Sequence, residues 1–299
     1  MIAVSVAASR GALGQPPAEP HPEWQLGAAL EGRKYFLDYS SSPSTDGTQE
    51  DGLIEVTKFY QPLLDDGAPY SLAPYLQRAS LWFVRLQGGH FATRNPFGGP
   101  SRTDWNSGLD LGIDDYLKRW LALTGAAAVG YSALADAGVN QATRTFSGAL
   151  GVGLRTGDIR FDGRYQVTTQ ESDVGPTVVR QSVDVSMLAA IRRRFTVEPS
   201  GALIAGGAQA ALTLEGFPAR SLGIFASGFL GSGKFYTSDQ TYRRYTTSAG
   251  VLGWIDPRLG VGGSYQFLYE RPSDQLLAPT LVGYHQSAHT ITLDLRVRM

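Results

Sequence analysis

The chain has 299 residues, 26 of them basic and 27 acidic, and it has no cysteine. That balance excludes the basic patch a nucleic-acid partner needs to displace counterions, and the missing thiols exclude disulfides, thiolate metal sites and cysteine nucleophiles. No apolar run approaches the ~20 residues of a membrane helix. The mean hydropathy is −0.13, a value a membrane barrel also shows because only alternate residues meet lipid.

Residues 1–14 read as the remnant of a secretory signal. Ile2 to Ala8 is small and apolar, and Ala12-Leu13-Gly14 offers a small-x-small cleavage site before Gln15. The basic stretch that opens such signals is missing. Residues 15–23 carry Pro16, Pro17, Pro20 and Pro22 and read as a disordered lead-in. Residues 24–299 are then expected to form one β-domain.

Within that domain, alternation of period two recurs and no long amphipathic helix is visible. Strand segments are expected at 24–38, 52–61, 76–88, 105–115, 119–132, 143–155, 158–170, 178–192, 196–212, 219–236, 242–254, 258–270 and 284–299. The segment 76–88 is poorly phased, since Leu81, Trp82, Phe83 and Val84 put apolar groups on both faces. Between 159 and 170, Phe161, Tyr165 and Val167 alternate with Arg160, Asp162 and Arg164. Val183, Val185 and Met187 then oppose Arg180 and Asp184. At the end of the chain Ile291, Leu293, Leu295, Val297 and Met299 fall on one face and Thr290, Thr292, Asp294, Arg296 and Arg298 on the other. Many segments exceed the ~5–6 residues of an ordinary strand and reach the ~9–11 needed to cross a bilayer at a tilt.

Thr156-Gly157-Asp158, Arg192 to Phe195 and Asp256-Pro257-Arg258 read as tight turns. Ser40–Gly52, His90–Asn106 and Arg271–Val282 read as long loops. Short turns on one rim and long loops on the other suit a membrane barrel, which has an even strand count. The thirteen segments violate that parity between Arg194 and Trp254. Either one of them is a loop, giving twelve strands, the preferred count, or one splits, giving fourteen. A soluble sandwich or lipocalin-like barrel also alternates, but its strands would be shorter and its apolar face would need a second layer. In a closed barrel the charged face points inward, and Asp110, Asp114, Arg160, Asp162, Arg164, Arg180, Asp184, Glu270, Asp294 and Arg296 are the expected lumen-lining residues.

On these grounds the chain resembles the bacterial outer-membrane β-barrel proteins as a general class, over residues 24–299. The final strand is similar to the C-terminal insertion signal of that class, although it ends on Met299 and not on an aromatic residue. The resemblance implies a closed antiparallel up-and-down transmembrane barrel in the bacterial outer membrane. It also implies outer-membrane lipid and the outer-membrane assembly machinery as partners, a small solute as cargo, and no cofactor.

Several motifs were weighed for chemistry. His285-Gln286-Ser287 places a histidine and a serine on one strand face, the minimum for a serine nucleophile and its base. No flanking residue supports it, so a lipid hydrolase is the least favoured function. His285 and His289 are too far apart for a shared metal, and further ligands are lacking. Gly151-Val152-Gly153 and Gly260 to Gly263 lack the strand-turn-helix context of a nucleotide loop. Arg192-Arg193-Arg194 reads as a solvated turn, and Lys234 to Arg244, with Phe235, Tyr236 and Tyr242, reads as an aromatic rim. The expected function is a passive channel or small-solute transporter. The alternative is a structural or ligand-binding barrel acting through its long extracellular loops.

Overall fold

The computed structural model describes residues 23–39, 42–61, 63, 68–93, 102–136, 139–204, 206–234, 241–272 and 284–299. The expected signal remnant 1–14 and all of the lead-in except Glu23 lie outside the described residues, as do Phe235 and Tyr236.

Fourteen strands form one closed sheet. They are β1 (Trp24–Tyr39), β2 (Ser42–Phe59), β3 (Leu81–Thr93), β4 (Arg102–Lys118), β5 (Leu121–Asp136), β6 (Val139–Thr156), β7 (Ile159–Ser172), β8 (Gly175–Ile191), β9 (Phe195–Ile204), β10 (Gly207–Ala219), β11 (Leu222–Lys234), β12 (Thr241–Trp254), β13 (Leu259–Pro272) and β14 (Tyr284–Arg298). Each pairs antiparallel with its sequence neighbours, and β1 pairs with β14 to close the ring. Closure leaves no edge strand, which is what lipid demands of a sheet, because unpaired N–H and C=O groups there cost several kcal/mol each. A short helix α1 (Ala73–Gln77) lies in the connection between β2 and β3.

Alternation sets the two faces. On β14, Ile291 and Leu293 are each 61% exposed, while Thr290 and Arg298, on the opposite parity, are buried. Leu30, Leu86, Leu150, Phe161, Val185 and Leu230 belong to the same exposed apolar coat. Exposed leucine and valine in such density would be an aggregation hazard in water; on a barrel they are the lipid contact.

Fourteen is the higher of the two counts the sequence allowed. The stretch from 195 to 254 holds four strands, because the segment 196–212 is broken by a turn before β10. Gly206 makes that turn possible, with φ 80°, a left-handed conformation open to glycine at no steric cost. Two loop expectations are corrected. Residues 42–52 are strand, not loop: they extend β2, with Gly47 opposite Tyr35 of β1 and Thr93 of β3. Their polar side chains hid the strand, because here the ladder with β1, joined from Gly47 onward by the ladder with β3, and not an apolar face, holds the backbone extended. Of the expected loop His90–Asn106, residues 90–93 belong to β3 and 102–106 to β4, and residues 94–101 lie outside the described residues.

The three expected tight turns are present at 157–158, 192–194 and 255–258. They share one end of the barrel with the start of β1 and the end of β14, and we call it the turn end. The longest connection, residues 60–80, opens at this same end. The rule of short turns on this rim therefore has one exception, and the expected strand 76–88 starts later, at Leu81, because its first residues belong to that connection.

Candidate functional site: the bore and the segment across it

Residues 68–80 run across the bore at the turn end instead of following the rim. Tyr70 and Tyr75 show the span. Arg298 of β14 donates to the Tyr70 carbonyl at 3.0 Å. The Tyr75 hydroxyl donates to the Asp158 carbonyl, in the β7 turn, at 2.7 Å and lies 2.9 Å from the Leu188 carbonyl of β8. β14 and β7 stand half a ring apart, so the six residues from Tyr70 to Tyr75 tie opposite walls together. Arg155 of β6 donates to the Tyr75 carbonyl and stacks 4.3 Å from the Tyr75 ring centre. Arg220 donates to the Ala68 carbonyl at 3.1 Å.

Apolar packing accompanies these bonds. Ala68, Leu72, Ala73 and Tyr75 bury against Ala190 and Phe217 of the wall, with Leu188 beside them. Phe59, Leu63, Ala79 and Leu81 form a second cluster against Phe83. This accounts for the two-faced apolar run at 81–84: Leu81 and Phe83 pack inward, while Trp82 meets Trp24 edge-on at 5.7 Å. Burial pushes the Tyr75 phenol up to about 12 and raises that of Tyr70, where Arg298 opposes the effect. The docking also leaves three buried donors, Arg78 Nε of the segment itself and Arg298 Nη1 and Trp254 Nε1 of the wall, with no partner among the described residues. Arg298 stacks 4.1 Å from the Trp254 ring centre and bonds Gln25 at 3.0 Å.

Because the face meeting this segment is the inner one, strand parity assigns the inner face farther along the barrel. There the side chains are ionic. Arg85 of β3 donates to Glu55 of β2 at 3.0 and 2.5 Å and stands 3.7 Å from Asp110 of β4. Arg160 of β7 reaches past β6 and β5 to Asp114 of β4 at 2.7 Å, and also bonds Asp162 at 2.7 Å and the Tyr116 hydroxyl at 2.9 Å. That reach needs a bare wall beneath it. Gly153 provides it, since a Cβ there would lie 2.9 Å from Arg160 Nε. Three one-to-one pairs follow: Arg164 with Asp184 at 3.5 Å, Arg244 with Glu270 at 2.6 Å and Arg296 with Asp294 at 2.7 Å. Arg180 sits on β8 opposite Thr168.

The ten expected lumen residues thus fall into separate groups, and Arg160 and Arg164, close in sequence, serve different ones. Sequence reasoning missed Glu55 and Arg85, which lie where the apolar pattern loses phase. It also missed a hydrogen-bonded chain on β1 and β2: Arg33 donates to Tyr35 at 2.7 Å, Tyr35 to Gln49 at 2.5 Å and Gln49 to Asp51 at 2.5 Å. Glu198 of β9 and Glu215 of β10 were missed as well; the alternation that carries them is diluted by small residues.

On the outer face, His289 bonds the Tyr265 hydroxyl at 2.5 Å. Ser287 of the His-x-Ser segment sits in register with Phe36 and Tyr269 and shares parity with Ile291. The His285 side chain lies outside the described residues. Among the described residues, no three His, Asp or Glu groups are placed to share a metal ion.

No protein-family model and no curated protein sequence matches the chain. Solved structures do. A Pseudomonas aeruginosa FadL homologue aligns with a TM-score of 0.57 at 6% identity, over 92% of this chain and 90% of that one. The fold is that of the bacterial outer-membrane β-barrels. The P. putida toluene transporter TodX aligns at 0.51 and 10% identity, covering 94% and 91%. A TodX mutant described as a monoaromatic hydrocarbon channel aligns at 0.55 and 11%, covering 100% and 96%. Identities this low speak to the shared barrel alone.

Proposed function

We propose that this protein is a passive outer-membrane channel for small solutes, with a charged bore that residues 68–80 close at the periplasmic end. The carrying observation is where the apolar core stops. Both clusters of buried apolar side chains involve the crossing segment or its flanks. Beyond them the inner face offers ion pairs and hydroxyls. A bore lined that way holds water, because unhydrated charges at low dielectric carry a large penalty.

The closing segment is held by hydrogen bonds and packing, with three buried donors unsatisfied. Each such donor costs roughly 1–3 kcal/mol, so the docked state is weaker than its contact surface suggests, and the segment can be displaced. The likeness to TodX, a toluene transporter, supports a transport role for a barrel of this shape. TodX also favours a second reading, an aromatic hydrocarbon as cargo. Inward-facing rings supply an observation for it, because Phe83 lies over Gly112 and Phe225 over Gly250.

Single-channel recording in planar bilayers tests the proposal. The wild type is expected to conduct rarely. An Arg155→Ala/Tyr75→Ala double variant, which cuts the segment from β6, β7 and β8, is expected to stay open at least about ten times longer, a shift of ~1.4 kcal/mol. Silence of both proteins at all voltages, with the barrel shown folded by its heat-shifted gel mobility, overturns it.

A further inference from the structure

Resting on the channel reading, we infer that the bore selects cationic solutes over anionic ones. The inference comes from the stoichiometry of its ion clusters. Arg85 stands between two carboxylates, Glu55 and Asp110. Arg160 also stands between two, Asp114 and Asp162. Each cluster keeps one negative charge in excess. Asp51 adds another: it accepts from the neutral amides of Gln49 at 2.5 Å and Asn106 at 3.4 Å. The one-to-one pairs of Arg164, Arg244 and Arg296 contribute no net charge.

Two more carboxylates have no cation at ion-pair distance among the described residues. Glu198 and Glu215 lie on adjacent strands with the same inward parity, two positions apart across the ladder. Glu215 is close to the crossing segment: a Cβ on Gly223 would meet Glu215 Oε1 at 2.7 Å, the Phe217 ring at 3.3 Å and Ser71 Oγ at 3.5 Å. Arg296, across the bore, is already committed to Asp294.

Arg180, on the inner parity of β8, offsets one of these negative charges and leaves the others in excess. Two further guanidiniums are turned away from the bore. Arg155 and Arg298 are the most deeply buried guanidiniums of the wall, at 6% and 1% exposure. Both turn their N–H groups into the crossing segment and donate to the carbonyls of Tyr75 and Tyr70. They serve the closure and not the water column. A solute in the bore therefore meets a wall with carboxylates in excess, spread from Asp51 to Glu215. Low-dielectric walls concentrate such a field, and carboxylate-lined pores pass cations for this reason.

The test is a reversal potential under a tenfold KCl gradient, measured on the Arg155→Ala/Tyr75→Ala protein so that open events are frequent. The reversal is expected on the potassium side, with a cation-to-anion permeability ratio of about 3 or more. Adding Glu198→Gln and Glu215→Gln should lower the ratio by about half or more. Glu50→Gln, an exposed position on the lipid parity of β2, should leave it unchanged and serves as the control. Conductance that reverses at zero or on the chloride side overturns cation selection and leaves the channel standing. So does a ratio that ignores Glu198 and Glu215 as it ignores Glu50, as regards the role of that pair. Absence of conductance from every variant removes the channel itself, and the selectivity with it.

Discussion

At the turn end, Phe59, Leu63, Leu72 and Phe217 are almost wholly buried. Farther along the same strands the inner face presents ion pairs, Arg85 with Glu55 and Arg160 with Asp114. The first region is packed like the interior of a soluble protein and the second like a surface folded inward. A closed sheet needs no core, because its ladder satisfies the backbone and its outer coat meets lipid. Where this barrel does have a core, a connecting segment was added to make one. Closure at that level is therefore a separable property, and mutations in the two regions should fail differently.

The largest effect is expected in the packed region. Phe217→Ala removes a ring that is 3% exposed from the cluster of Leu72, Ala73 and Tyr75. Burial of this kind is worth about 3–5 kcal/mol. Much of the loss should fall on docking of residues 68–80 and not on the barrel. Amide exchange should rise at 70–78 and stay low in β5 and β6. Leu150→Ala, on the lipid side at 76% exposure, should leave the exchange of both regions alone. Equal acceleration throughout would show that the two regions unfold as one.

Next comes Arg160→Ala. It leaves Asp114 and Asp162 facing each other without their shared guanidinium, whose side chain is 10% exposed. Breaking a buried pair costs about 3–5 kcal/mol, and water in the bore should hold this one to about 2 kcal/mol. Urea unfolding in lipid vesicles would measure it. Asp114→Asn together with Arg160→Met should recover part of the loss, since no charge is then stranded. A double variant as weak as the single one would mean that Arg160 acts by packing on Gly153 and not by its charge.

The same division decides what the sequence could reveal. Lipid imposes a strict rule on every second residue, so β5, β7, β8 and β14 were legible from alternation alone, and so was the closed-barrel class. The rule weakens where side chains are small. From Gly201 to Ala211 the chain is mostly glycine and alanine, and the turn at Gly206 left no break in an already faint pattern. Residues 68–80 follow neither period, because they pack against a curved inner wall and not against lipid or another sheet. The anchors of that segment were visible only in part. Arg155 and Arg298 sat correctly on the polar face, but their partners are the carbonyls of Tyr75 and Tyr70, backbone atoms that no residue type announces. Ion pairs such as Arg160 with Asp114 join strands that are not neighbours, so they require the closed ring before they can be guessed.

The smallest effect is a pH dependence confined to the closing segment. Tyr75 holds its phenol proton more tightly when docked, because burial disfavours the phenolate and because ionisation would remove the donor to the Asp158 carbonyl. Free tyrosine titrates near ~10, and docked Tyr75 is pushed up to about 12. A group whose pKa rises on docking contributes its full stabilisation below the undocked value and loses it as pH climbs through the docked one. The contribution is thus constant at neutral pH and fades between about pH 10 and 12. Open probability should rise across that interval in the wild type. Tyr75→Phe, which has nothing to titrate, should open more often at neutral pH and lose this alkaline rise. An alkaline rise of the same size in Tyr75→Phe would assign it to another group, with Tyr70 the next to replace, since burial raises that phenol in the same direction.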